Sequence, residues 1–410
     1  MLSKEVWEQV CFPQKECQRK TLPIRLEEQS RIVLYGAGYG GMMFLELLRR
    51  RGLEPECFLD LSPKKQGRRI MGVPVYAPDQ TVAENTTVIV CLLEMGETFR
   101  SVKMCMMELG CRAVYHLYEL RDDHALFESQ PLVISPDRNL IWENRRLLYQ
   151  AYQMLEDELS KQTLASILRF LWGDLDERIP VFPMEDQYFA GDIYSLCNHE
   201  VFVDCGAHVG EILHQFLRRC QGRFERYWAF EPGGQNIREL EKNCPPEYRP
   251  ELMIRHTALG DRPGTVHIRD YDGNNSVIRE NGEERASCAT LDSFAEELHP
   301  TILKIDVEGW ESRLLDGAET IIRRDKPVIA IAVYHREQDF WEIPLRLKHL
   351  VPEYRFYLRS YLNVAETVLY AVPPVRLSGR SMRHEIYYPA QRKKAVQNWV
   401  GGEPVWYSYA

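Results

Sequence analysis

The stretch "EVFVDCGAHVGEI", from Glu200 to Ile212, decides the fold. Apolar positions running into Asp204, then Gly206 and Gly210 ahead of an apolar-periodic segment, read as a buried strand, a tight turn and a helix start. A second stretch of the same kind, "RIVLYGAGYGGMMFLELL", lies upstream at Arg31 to Leu48.

Outward from these two turns the chain divides into modules. From Arg31 to about Leu120, strands "RIVLYGAG", "ECFLDLSP", "TTVIVCLL" and "RAVYHLY" alternate with helices "GMMFLELLRRRG" and "ETFRSVKMCMMELG". That alternation predicts a parallel, doubly wound sheet. After Val201 the strands are "VFVDCG", "RYWAFEP", "LMIRHTALGD", a hairpin-like pair around "GTVHIRDYDGNNSVI", "TILKIDVEG", "PVIAIAVYH", "YRFYLRSY" and "TVLYAVP". Helices "EILHQFLRRC", "QNIRELEKN", "LDSFAEEL", "ESRLLDGAETIIRR" and "WEIPLRLKHLV" lie between them, except that no helix joins the last two strands. The fold class is therefore α/β with two doubly wound sheets, the second mainly parallel with an antiparallel edge hairpin. The expected domains are residues 1–122, a helical connector at 123–199, a second sheet domain at 200–375 and a tail at 376–410.

Composition agrees with a folded, water-exposed chain. At 410 residues two domains are natural, and 45% apolar with 27% charged residues leaves ample material for cores. A net charge of −9 argues against a dedicated nucleic-acid surface. Eleven cysteines without a CxxC pair suggest reduced thiols and no zinc site. The N-terminal residues lack a signal-type apolar stretch, and no segment approaches the roughly 18–20 apolar residues of a membrane span. A cytoplasmic protein is expected, with a homo-oligomer left open.

The upstream turn places Gly36, Gly38 and Gly41 in GxGxxG spacing, with Asp60 ending the next strand. Such glycines permit a tight turn, close approach of a diphosphate and close helix packing, and the acid can bond a ribose. The later "GRRIMGVPVYAPD" resembles nucleotide-sugar-binding domains in front of sugar acyltransferases. A nucleotide or nucleotide-sugar is the ligand expected of this Rossmann-like domain. The downstream turn instead carries Asp204 within it, placed to accept a hydrogen bond from an ammonium group, which suits the amino-acid end of S-adenosylmethionine. Glu231 in "AFEPGG" ends the next strand, where a carboxylate can take ribose hydroxyls, and "TALGD" brings Ala258, Leu259 and Asp261 toward an adenine. With Gly206 and Gly210 these are the expected cofactor-binding residues.

From about Val201 to Pro373 the chain resembles the FkbM family of S-adenosylmethionine-dependent methyltransferases. "FVDCGAHVGE", "AFEP", "ALGD", "LKIDVEGWE" and "ETVLYAVP" fall in that family's order, and "DELSK" and "EDQYF" resemble the lead-in of bacterial members. One departure is His208, where the family more often has Asn. The resemblance implies a class I methyltransferase domain and methylation of a hydroxyl oxygen on a sugar, glycan or natural product.

Removing a hydroxyl proton calls for a base near the strand ends. Asp306 and His335 close the fourth and fifth strands of the second sheet and are the expected catalytic residues. His335 has the pKa of a base near neutrality, and Asp306 has three readings: orienting His335, binding the acceptor, or joining a metal site with Glu308. His/Cys spacing gives no metal site, so none is expected. Glu308 and Glu311 read as helix-start acids, and Lys304 as an anchor for the carboxylates. Tyr188 and Phe189 read as adenosine contacts or core; Arg359, Tyr361 and Glu366 read as core or acceptor contacts; the hairpin at Asp270 to Ile278 reads as acceptor-pocket wall. Two other readings of the whole chain stay open: a non-catalytic tandem nucleotide-binding sensor or scaffold, and a nucleotide-sugar or NAD-dependent enzyme working through Gly36, Gly38 and Asp60.

Overall fold

The structure, a computed structural model, describes residues 3–12, 26, 31–79, 84–92, 97–120, 136–175, 177–271, 275–278 and 284–378. The tail after Ser378 and the tip of the expected acceptor hairpin thus lie outside the described residues. Two compact units divide the chain: a smaller one containing Glu8–Arg138 and Ala165–Val181, and a larger one containing Met1–Trp7, Asn139–Leu164 and Phe182–Glu385. The helical stretch between the two sheets is shared by both units.

In the smaller unit β1 (Ile32–Tyr35), β2 (Cys57–Leu59), β3 (Arg69–Ile70), β4 (Val73–Tyr76), β5 (Thr87–Val90) and β6 (Ala113–His116) form one sheet, ordered β3-β4-β2-β1-β5-β6. Every pairing is parallel except β3 with β4. The short β3–β4 hairpin was not legible as strands. Two residues give no period, and Gly72 sits in the turn with φ +83°.

The larger unit has a seven-stranded sheet. Its members are β7 (Val201–Cys205), β8 (Arg226–Glu231), β9 (Leu252–His256), β14 (Ile302–Ile305), β15 (Val328–Ala332), β16 (Arg355–Leu362) and β17 (Ala365–Val372), ordered β16-β17-β15-β14-β7-β8-β9. The middle strands β14 and β15 are buried at every position, as strands covered on both faces must be, and Lys304 is the one polar residue among them. β16 and β17 are the expected antiparallel hairpin, and β17 also runs antiparallel to β15. A second sheet holds β10 (Ala258–Leu259), β11 (Gly264–Tyr271), β12 (Asn275–Ile278) and β13 (Glu284–Ala289) in the order β10-β13-β11-β12.

Three elements differ from the sequence expectation. "LMIRHTALGD" is not one strand, because the chain leaves the main sheet after His256 and β10 pairs with β13 instead. "LDSFAEEL" makes only a single tight turn, Leu291–Phe294, capped by the Thr290 side chain accepting from the Ser293 N–H. "ESRLLDGAETIIRR" forms two helices, Glu311–Asp316 and Glu319–Asp325, broken at Gly317. A Cβ there would collide with the Gly260 carbonyl, so glycine is required and the helix is interrupted where the two backbones meet.

Arg359 on β16 is core architecture and not an acceptor contact: it is 2% exposed and bonded to Asp157 at 2.6 Å and Asp192 at 2.8 Å. It pins the "DELSK" helix Glu158–Trp172, at its start, to the edge hairpin, with Ser160 also accepting from the Leu358 N–H. Burial acts against ionised Asp157, but Arg359 outweighs it and holds the carboxyl below its ordinary value of 3.8. This contribution to stability is complete above that value and is lost as pH falls through the lower folded one. Arg359→Met, which leaves two carboxylates facing an apolar side chain, is expected to destabilise the larger unit by about 3–5 kcal/mol in urea unfolding followed by tryptophan fluorescence. The variant should also lose less stability than the wild type on acidification toward the lower limb.

Candidate functional site

Because β7 lies between β8 and β14, the strand order reverses direction beside it, and a crevice opens at the strands' carboxyl ends. A cavity of about 320 Å³ occupies that place, within the range of about 300–1,000 Å³ typical of small-ligand sites. Gly206, Glu231, Ala258, Leu259 and Asp306 line it, as do Gln187, Tyr188, His208, Thr257, Lys304, Glu308, Tyr334 and Glu366. Gly210 and Asp261 are not on its wall.

Gly206 has φ +82°, and a Cβ there would run into the carbonyl oxygen of Asp306, so the β7 turn and the end of β14 touch backbone to backbone. Gly210 has φ +95° and starts the helix Glu211–Arg219. Between them the His208 N–H donates to Glu231 at 3.0 Å, while Glu231's other oxygen accepts from the Gly233 N–H at 2.9 Å and Asn236 at 3.1 Å. The carboxylate is therefore fixed, only 4% exposed, and the oxygen bonded to His208 keeps acceptor capacity toward the cavity. Burial pushes its pKa up, opposed by those donors.

Asp204 stands elsewhere than the sequence suggested. It is fully buried, off the cavity wall, with Lys304 at 2.9 Å and the Tyr227 hydroxyl donating at 2.5 Å. The reason is register: Lys304 on β14 pairs directly with Asp204 on β7, so both side chains leave the same face. Burial opposes the Lys304 ammonium, but Asp204 and Asp306 outweigh it and raise its pKa. Its Nζ also donates to the Gly206 carbonyl at 2.6 Å, so Lys304 reaches the turn and the cavity that Asp204 does not.

At the other end of the cavity carboxylates crowd together. Asp306 accepts from the Tyr188 hydroxyl at 2.7 Å. His335 stands behind, its Nε2 3.6 Å from Asp306 and 3.5 Å from Glu308, its Nδ1 2.9 Å from the buried Glu311. Burial alone would lower the His335 pKa, but Glu311, Glu308 and Asp306 raise it well above its ordinary value. The ring stands off the cavity wall with its Nδ1 engaged by Glu311, so the geometry does not favour its expected role as a general base acting directly on an acceptor. Burial and the neighbouring Asp306 push Glu366 up to about 7, although it accepts from Gln187 at 2.6 Å.

Four of the nine non-glycine residues with left-handed φ among the described residues, Tyr188, His208, Glu308 and Glu366, line this one cavity. Each such residue costs about 1–3 kcal/mol, and such strain concentrates where side chains are aimed for function. Sequence reasoning missed Gln187, Tyr334 and Tyr227, whose partners lie well away in the chain, and Asn236, which bonds Glu231 from the next helix. Phe189 and Tyr361 are core, stacked on Phe202 and bonded to Tyr370 respectively.

In the smaller unit Gly36 has φ +102°, and a Cβ on Gly41 would collide with the Gly36 carbonyl, so these two glycines are required by the turn and by helix packing. Gly38 precedes the helix Tyr39–Arg50. Asp60 accepts from the Ala37 N–H at 2.8 Å and the Ser62 N–H at 2.8 Å, with Lys65 at 3.3 Å.

Taken together, the larger unit is an open α/β sheet with a strained, acid-rich ligand cavity at its switch point. Residues 204–364 match the family model of the methyltransferase FkbM domain. The crystal structure of a methyltransferase FkbM from Methylobacillus flagellatus KT is 20% identical, covers 90% of this chain and 96% of its own, and superposes with a TM-score of 0.66, a likeness of fold. Aeropyrum pernix fibrillarin, solved with natively bound S-adenosyl-L-methionine, is 11% identical over 46% of this chain and 76% of its own at a TM-score of 0.28, too slight to carry argument. No curated protein matches. The family match supports a methyltransferase, and among the described residues no helix is long and apolar enough to cross a membrane.

Lys304→Met leaves Asp204 buried without its counter-charge, with the Tyr227 hydroxyl as its remaining donor, and is expected to destabilise the larger unit by about 3–5 kcal/mol. Thermal unfolding of the purified variant, compared with the wild type, measures it; an unchanged midpoint contradicts the anchoring role.

Proposed function

We propose that the larger unit transfers a methyl group from S-adenosylmethionine to a hydroxyl oxygen of a sugar, glycan or hydroxylated natural product. The observation that carries this reading is one cavity with two chemically different ends: Glu231, a fixed buried acceptor beside a glycine turn, and Asp306 with its acidic neighbours across β14.

The residues present suit that donor. The turn at Gly206 has no room for a side chain, Glu231 keeps acceptor capacity for a ribose hydroxyl, and Thr257, Ala258 and Leu259 supply a mostly apolar wall for a base. When bound, S-adenosylmethionine supplies an electrophilic methyl: the O–CH₃ bond forms as the S–CH₃ bond breaks, and sulfur keeps the electron pair. Asp306 holds the acceptor hydroxyl and draws its proton away, while Tyr188, whose pKa is raised well above 10 by burial and by Asp306, stays protonated and orients that carboxylate. Tyr188, Gln187 and Glu366 close one side of the cavity and limit water there.

The smaller unit we read as a nucleotide or nucleotide-sugar module. What supports this is the close glycine turn at Gly36 and Gly41 ahead of a helix, with Asp60 at the end of the adjoining strand.

Calorimetric titration of S-adenosylhomocysteine tests the donor end. Replacing Glu231 by Ala is expected to weaken binding by about 1.5–3 kcal/mol, which is about ten- to a hundred-fold. Asp306→Asn should leave that affinity nearly unchanged while abolishing methyl transfer to hydroxylated acceptors. A wild type that does not bind the product removes the methyltransferase reading.

A further inference from the structure

We propose that Asp306, Glu308 and His335 bind one divalent transition-metal cation, whose remaining coordination position faces the cavity and takes the acceptor's hydroxyl oxygen. The hydroxyl part of this inference rests on the methyl-transfer reading above; the metal site stands on geometry of its own.

One ligand atom from each of the three side chains lies within 4.8 Å of the other two. The distances from His335 Nε2, 3.6 Å to Asp306 and 3.5 Å to Glu308, are too long for hydrogen bonds, which run about 2.7–3.2 Å. They match ligand-to-ligand spacing around a metal, since bonds of about 2.1 Å in tetrahedral directions put neighbouring ligand atoms about 3.4 Å apart. Nε2 is buried and has no hydrogen-bond partner, and the imidazole as a whole is only 11% exposed.

The surroundings aim these atoms at one point. Glu311, fully buried, faces His335 Nδ1 at 2.9 Å and accepts its proton-bearing side, which turns the Nε2 lone pair toward the two other carboxylates. A carboxylate behind a histidine in this way is the usual outer support of a metal-ligating imidazole. Tyr188 occupies Oδ2 of Asp306, leaving Oδ1 buried and without a hydrogen-bond partner. A lone pair and two anionic oxygens directed at one another repel unless a cation lies between them.

Two carboxylate oxygens and one imidazole nitrogen, with a position left toward the cavity, have the donor count of a catalytic and not a structural site. The mixed N/O set suits manganese, iron, cobalt or zinc better than calcium or magnesium. Coordination lowers the pKa of a bound hydroxyl: the O–H proton leaves to solvent, and the oxygen then bonds the methyl carbon as the C–S bond breaks with its electron pair retained by sulfur. With the cation in place Asp306 serves as its ligand instead of drawing off the proton directly, and the cation takes over the activation of the hydroxyl.

The test is titration of cobalt(II) into chelator-stripped full-length protein, read by visible d–d absorption and by calorimetry. One equivalent should bind. His335→Ala and Glu308→Gln should weaken affinity by about a hundred-fold or more, and Glu311→Gln, at a residue that bonds Nδ1 and the Val307 N–H but no proposed ligand atom, by about ten- to a hundred-fold. Glu308 is 46% exposed, so its variant keeps the test valid should the buried variants unfold. No stoichiometric binding at millimolar cobalt, or an affinity that Glu308→Gln leaves unchanged, overturns the site. S-adenosylhomocysteine calorimetry on the same stripped protein separates the two ideas: product binding without cobalt binding sinks the metal site alone, and cobalt binding without product binding sinks the hydroxyl role while the site stands.

Discussion

The larger unit's site depends on a lysine that is almost wholly buried. Lys304 is 3% exposed, and its register partner Asp204, the nearby Asp306 and the carbonyl of Gly206 make that tolerable. Against a well-packed apolar pair such an ion pair contributes little net stability. Its effect is positional: it ties β7 to β14 where their ladder runs into the Gly206 turn, and it fixes that turn beside the cavity. Tyr227, stacked on Phe202 with ring centroids 5.2 Å apart, bonds Asp204 from the next strand and extends the same lock into the core. The aromatic core and the polar site are thus one structure, joined at a single carboxylate.

Beyond that lock the cavity accumulates what folding alone disfavours. Burial and Asp306 push Glu366 up to about 7, and Asp306, Glu308 and Glu311 converge on one imidazole. Left-handed backbone at Tyr188, His208, Glu308 and Glu366 adds about 1–3 kcal/mol apiece. Crowded negative charge and strain of this kind persist only where the rest of the domain can carry them. The long buried strands β14, β15 and β17, gripped by Arg359 at the edge, provide that margin.

Much of the main sheet was legible because its signals are local. β15 is an unbroken apolar run, β7 and β14 are apolar but for Asp204 and Lys304, and Gly206 and Gly210 mark a turn that only glycine accommodates. Glu231 and Asp306 were legible as strand-end acids. The β3–β4 hairpin and β13 were not, since short strands rich in Arg, Gly or Glu carry no period and owe their pairing to partners elsewhere. The same limit applies within the site. Which way Asp204 points follows from its register with Lys304, one hundred residues away, and three acids converge on His335 in a way that no spacing reveals.

The two glycine turns make the point sharper when set beside each other. In the smaller unit the Gly36 N–H donates to the Leu59 carbonyl and the Ala37 N–H to Asp60; in the larger, the Gly206 N–H donates to the Phe230 carbonyl and the His208 N–H to Glu231. In both, the acid at the end of the neighbouring strand first satisfies an amide of the turn, a structural duty that exists with or without a ligand. An acid about twenty residues beyond such a turn is therefore weak grounds for ligand binding by itself. What distinguishes Glu231 is the remainder of its surroundings: an oxygen with acceptor capacity left, a cavity wall, and strained neighbours. Asp60 accepts from a second amide and faces a lysine. Glu231 likewise accepts from a second amide, that of Gly233, and from Asn236, so internal bonds do not separate the two acids; the cavity wall and strained neighbours beside Glu231 do.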